Sequence, residues 1–445
     1  MINNKSSHPQ SLLEKPILRR FAFLLIIVSI GLSSCSEEQG LEQSQVPEDQ
    51  TQPPDPDVYL AGTTVDGIHS KATYWVNGNA VTLTDGSNAA EAVSIVVSSE
   101  GVFVAGYENN GMYQVAKYWK NGVAVPLTDG TAPAMANAIT LSGNDVYVAG
   151  YESNSTRIIA KYWKNGKAVS LTDGTNDAHA YAIVAAGNDV YVAGDEYNGL
   201  HYIAKYWKNG ESILLTDGSK DAHAYSLVVT ETDVYVAGSE KSGINGNIVA
   251  DYWKNGTVVH LTDGSNNARS NDITVSGTDV FVAGAELKDG NFFVAKYWKN
   301  GEVIDITDNS NYSMANAIVV QDHDIYVAGK ELQGSPVALY WKNGSETHIE
   351  DPSHSGGWTN SVFVSENYSQ DQQKIRTTSS LNETGAILAG LRSSSQLFTF
   401  HSKHVKNTSK RNSTTKTKTY TSPRTRSSGM SLNISRNTSS RPSRK

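Results

Sequence analysis

Apolar and polar residues alternate in short runs between residues 57 and 366, and the runs recur at a nearly constant distance. In one unit, AHAYAIVAAG (residues 178–187) leads through a Gly-Asn-Asp turn to VYVAG (190–194), then a loop and IAKYWKNG (203–210). A fourth run is typified by KAVSLTDG (167–174). Period-two alternation, β-branched and aromatic residues, and Asn-Gly or Asp-Gly ends predict four strands joined by tight turns. No run has the i, i+3, i+4 spacing of an amphipathic helix, so the chain reads as all β.

Tyr-Trp stands at 74–75, 118–119, 162–163, 206–207, 252–253, 297–298 and 340–341, and a V-[YF]-[VL]-A-G marker, IYVAG in the last copy, keeps pace with it. Seven copies of a four-stranded unit of this length predict a seven-bladed β-propeller of four-stranded blades. Small residues such as Ala136, Ala138, Ala180, Ala182, Ala224 and Ser226 suit the crowded axis, so their strand is expected innermost. VYVAG is then second, KYW third and the LTDG run outermost. The chain enters at a second strand (Val58) and its last repeat-like run is GWTNSVFV (357–364), an innermost strand. The first blade is therefore expected to be closed by pairing of N-terminal strands with a C-terminal innermost strand, which removes exposed edges. The pattern of hydrophobic strand, tight turn and V-Y-V-x-G-like strand resembles the kelch-type propellers, without their double glycine.

Tyr and Trp are neighbours on one strand and point to opposite faces. Both faces of a blade are covered, so both residues can be buried. A buried Trp is worth roughly 4–6 kcal/mol as an upper figure. A row of sugar-binding aromatics is the other reading of the same residues.

Charge divides the chain. Residues 1–56 carry 4 basic and 7 acidic side chains, residues 57–366 carry 18 and 36, and residues 367–445 carry 15 and 2. At the N-terminus, Lys15, Arg19 and Arg20 precede the apolar FAFLLIIVSIGL (21–32) and then LSSC, the layout of a secretory signal too short to span a bilayer. LSSC resembles the lipobox of bacterial lipoproteins, which implies a signal peptide over 1–34 and lipidation of Cys35, the single cysteine. The following SEEQG is similar to the acidic signature that sends some lipoproteins of the Bacteroidota to the cell surface. The resemblance to repeat lipoproteins of that group implies a membrane partner through the Cys35 anchor, and an outer-membrane address facing the surface or the periplasm. Residues 35–56, rich in Glu, Gln and Pro, read as a linker, and 57–366 as the propeller. Residues 367–445 form a basic Ser/Thr-rich tail of expected disorder, open to three readings: a solvated tail, an electrostatic docking segment, or a shifted reading frame.

Candidate chemistry lies on one face. The Gly-Asn-Asp and Lys-Asn-Gly turns share one end of the blades, and the loops after VYVAG, which vary most, share the other. Variable loops on a repeated scaffold are the usual seat of binding. Two acidic rings lie there. Glu108, Glu152, Glu196, Glu240, Glu286 and Glu331 follow VYVAG, and Asp85, Asp129, Asp173, Asp217, Asp263 and Asp308 sit in the TDG and TDN turns. They read either as capture of Ca2+ or a basic ligand, or as turn chemistry and cross-hairpin pairs such as Glu152 with Lys161. No DxDxDG calcium loop is present, and neither a metal site nor another cofactor is expected.

The repeat is broken between the small residues of the innermost strands. There stand Glu91, Met135, His179 with Tyr181, His223 with Tyr225, Arg269 and Trp358, which read either as the ligand-binding residues of an axial funnel or as inter-blade packing around a water-filled channel. G-x-S-x-G, H-E-x-x-H and P-loop motifs are missing. The expected function is therefore binding or scaffolding of a protein or glycan by a monomer, with no sequence-specific nucleic-acid partner. A carbohydrate-active hydrolase or lyase using the axial pocket is the alternative.

Overall fold

The computed structural model describes residues 55–65, 67–349 and 356–365. The expected signal peptide, Cys35, the linker up to residue 54 and the basic tail lie outside the described residues. Within them, seven antiparallel sheets of four strands form. Blade one joins Val58–Val65, Ser70–Val76 and Asn79–Thr82 to Gly356–Val364, which pairs along Val58–Val65. Blades two to seven take residues 90–126, 134–170, 178–214, 222–260, 268–305 and 313–348 in turn.

The small-residue strands are innermost, as expected. Ala90–Ser98, Ala134–Ser142, Ala178–Ala186, Ala222–Val229, Ala268–Ser276, Ser313–Gln321 and Gly356–Val364 each touch the corresponding strand of both neighbouring blades, which closes the ring. Ser365 seals the first blade: its N–H donates to the Asp57 carbonyl (2.9 Å) and its Oγ accepts from the Asp57 N–H (2.8 Å).

The core is divided among the blade interfaces. Trp163 packs with Val96 and Ala105 of blade two, while Tyr162 faces Ala178 and Ile183 of blade four. All seven repeated Trp are at most 1% exposed, so their role is packing between blades. The outermost strands are shorter than the sequence pattern suggests, for example Lys167–Ser170. Asp173 ends that run by accepting the N–H (2.9 Å) and the hydroxyl (2.7 Å) of Thr175.

The opposite end is uniform. Asn165 and Gly166 both have positive φ (50° and 78°), the turn that Asn-Gly favours. The Asn165 amide accepts from the Val146 N–H and donates to Asp145, tying the two turns of the blade together. Equivalent bonds recur at Asn209, Asn255, Asn300 and Asn343.

Each innermost strand also carries a bulge that the alternation does not announce. Ala180 pairs with Gly194 and Ala182 with Ala193, which leaves Tyr181 as the extra residue. The bulge accounts for the glycine of VYVAG. A Cβ on Gly194 would lie 1.9 Å from the His179 carbonyl oxygen and 3.0 Å from the Trp207 ring.

Candidate functional site at the axial mouth

The residue two before each bulged position faces a cross-strand partner just after VYVAG: Glu91 pairs with Tyr107, Met135 with Tyr151, His179 with Asp195, His223 with Ser239, Arg269 with Ala285 and Met314 with Lys330. Trp358 holds the same place opposite Thr63. All of these lie toward the ends of the strands that meet the variable loops, so they line the axial mouth on that face.

Two clusters form. In the first, the Asp195 carboxylate is fully buried between blades four and five and bridges two imidazoles, His179 Nδ1 at 2.9 Å and His223 Nδ1 at 2.6 Å. Burial alone would raise this carboxyl. The two histidine hydrogen bonds outweigh it and hold Asp195 below the ordinary carboxylate range. A carboxylate only accepts, so each Nδ1 carries a proton and each Nε2 points away from Asp195. Tyr181 stacks on His179 (5.6 Å, 16°), Tyr225 stacks on His223 (5.7 Å, 17°), and the two tyrosines meet at 5.4 Å. Tyr202 leans on both histidines, and Arg269 lies 4.9 Å above Tyr225. Burial, with the Asp195 charge beside it, pushes the Tyr181 hydroxyl far upward, so it stays protonated.

In the second cluster, Glu91 accepts from the Trp358 indole (3.0 Å), the Asn360 amide (2.9 Å) and the Tyr107 hydroxyl (3.2 Å). Burial and the Glu91 charge push Tyr107 up to about 12. Met135 accepts from the Tyr151 hydroxyl at 3.4 Å, and Tyr151 meets His179 edge-on at 5.2 Å. The expected residues thus fall into a His179–Tyr181–His223–Tyr225–Arg269 group, a Glu91–Trp358 group, and Met135 against the first group through Tyr151.

The bulged residue separates scaffold from exception. Asn137, Asn271, Asn316 and Asn360 each donate to a carbonyl of the next blade, at Ala180, Ala315, Thr359 and Ala92 (2.8–3.0 Å). Blades four and five have Tyr181 and Tyr225 in that place, and blade two has Val93. One residue further on, Asp272 accepts from the Ser226 hydroxyl (2.6 Å) and the Ile318 N–H (2.8 Å), joining three blades. Burial raises its carboxyl to about 6.

Asp195, Tyr202 and Asp272 are absent from the sequence-based set. The signals were present. GDE departs from the GYE, GSE, GAE and GKE of blades two, three, five, six and seven, and Asp272 stands where the others carry Ala or Ser.

Both acidic rings are largely satisfied within the chain. Lys117, Lys161, Lys205 and Lys296 bind Glu108, Glu152, Glu196 and Glu286 at 2.5–2.7 Å, and these lysines are only 7–15% exposed. The six turn aspartates accept backbone N–H groups two residues on. In blade five, Asp251 replaces the lysine and pairs with His260 at 2.7 Å. Among the described residues, no group of three His, Cys, Asp or Glu is arranged to hold a metal ion.

No family model matches the chain, and no curated protein is a significant match. Among solved structures it is similar to a puromycin-hydrolyzing peptidase of Mycobacterium tuberculosis, at 12% identity and a TM-score of 0.46. That alignment covers 67% of this chain and 52% of the peptidase, so the chain spans about half the length of that protein.

Proposed function

We propose that the protein is a binding module of the bacterial envelope, anchored by lipid on Cys35, whose ligand docks at the axial mouth of the propeller. The observation that carries this reading is the replacement of the bridging asparagine by Tyr181 and Tyr225 in two consecutive blades, beside two histidines oriented by one buried carboxylate. Most structural positions of this propeller repeat. These do not, and they converge. The ligand is a glycan or a protein segment. Kelch-like blade architecture and kinship with repeat lipoproteins of the Bacteroidota belong to the same proposal.

A thermal-shift screen of the full-length protein against glycans, Ca2+ and peptides tests it. A stabilising ligand whose effect disappears in Tyr181→Ala places docking at the mouth. A ligand whose effect survives in both Tyr181→Ala and His223→Ala contradicts that placement. For the anchor, Cys35→Ser should move the protein from the membrane to the soluble fraction; continued membrane association would refute lipidation.

One observation favours catalysis as a second reading. His179 and His223 are held through Nδ1, with Nε2 lacking a partner among the described residues, which is the orientation of a general base. Turnover of a saccharide, lost in His179→Ala or His223→Ala, would make the protein a hydrolase or lyase.

A further inference from the structure

We infer that the ligand of the axial mouth is an acidic saccharide whose carboxylate is taken by Arg269; this rests on the reading of the mouth as a binding site. The ring's carboxylates are matched from within. Glu91 has three donors, and Asp195 has two imidazoles. The ring's cations are not. Arg269 lies over the Tyr225 ring and has neither an ion pair nor a hydrogen bond among the described residues. Lys330 lies over Tyr312 and Trp358 in the same condition. The lysines of the third strands, by contrast, meet carboxylates at 2.5–2.7 Å in four blades.

Neighbouring positions do not supply what Arg269 lacks. The residues flanking it on the ring are Ser239 and Ala285, both buried and small, where the equivalent place in blade four holds Asp195. A guanidinium presents a rigid fork of donors that fits a carboxylate bidentately. Beside it, the two Nε2 lone pairs accept from hydroxyls, and the Tyr225 hydroxyl has no partner among the described residues. An anion and several hydroxyls on one small ring describe a uronate. The propeller as a whole is acidic, with 18 basic and 36 acidic side chains over residues 57–366. Such a body does not attract anions from a distance, and beyond about 8 Å charges are screened in any case, so selection occurs at contact.

Calorimetric titration of the detergent-solubilised full-length protein with trigalacturonate, its methyl ester and galactotriose tests this. The acid should bind about tenfold or more tightly than the ester. Arg269→Gln should erase that preference, and Arg269→Lys should keep part of it. The melting temperature of Arg269→Gln should fall only slightly, because no ion pair is lost and only the contact over Tyr225 goes. Equal binding of acid and ester, or an undiminished preference in Arg269→Gln, overturns the assignment. If the neutral sugars bind as well as the acid and Tyr181→Ala abolishes all binding, the mouth is a site and only its acidic specificity fails. If no saccharide binds, the acidic assignment fails, and the peptide arm of the thermal-shift screen decides the fate of the mouth.

Discussion

Two buried aspartates titrate in opposite senses, and the difference separates their roles. Asp195 is depressed by its histidine partners. A group with a lowered folded value stabilises above its unfolded value, near 4, and loses that contribution as pH falls through the folded value. Asp195→Asn should therefore cost about 1–3 kcal/mol at pH 7, and the gap to wild type should shrink below about pH 4. Asp272 is raised to about 6 by burial. Its folded form holds the proton longer than the unfolded chain does, so its contribution falls as pH rises from about 4 to 6. Asp272→Asn should gain on wild type by up to about 2 kcal/mol across that interval. Urea unfolding of wild type and both variants from pH 3.5 to 7.5 reads both slopes; two curves of the same sign would contradict the assignments. Neither aspartate was legible from alternation alone. Each is a departure from the repeat, and its weight depends on what the next blade places opposite, which one strand does not encode.

At the scale of the element, the bulge sets the geometry of the mouth. The backbone of the second strand passes so close to the bulged innermost strand that only glycine fits at residue 194. Gly194→Ala should destabilise by about 1–3 kcal/mol through overpacking and should weaken any ligand that depends on His179, whose carbonyl it displaces. Thermal unfolding with and without ligand checks both; an unchanged melting temperature would mean that the strands part freely. The strand order, the Asn-Gly turns and the burial of the seven Trp followed from the sequence pattern, because side-chain size and turn chemistry are local. The bulge did not, because it depends on how the neighbouring strand pairs, which the alternation within one strand does not state.

At the scale of the whole molecule, the ring is closed by a strand nearly 300 residues from its partner in sequence. The glycine, Trp and Asn positions that repeat hold one blade to the next, and the non-repeating Glu91, Met135, His179, His223, Arg269 and Trp358 gather at one mouth. A chain that stops at residue 349 lacks Gly356–Val364 and leaves an open edge on Val58–Val65. It should aggregate or melt well below a chain that stops at residue 366. Equal melting temperatures would contradict ring closure as a source of stability.

The measurement that bears most directly on the division between scaffold and site is to restore the repeat. In Tyr181→Asn/Tyr225→Asn, the new amides would face the Ala224 and Ser270 carbonyls, as Asn137, Asn271, Asn316 and Asn360 face theirs. Unfolding free energy and trigalacturonate titration should be measured on the same preparation. The account predicts unchanged or higher stability with ligand binding lost. Lower stability with ligand binding retained would show that the two tyrosines belong to the scaffold and that the site lies elsewhere.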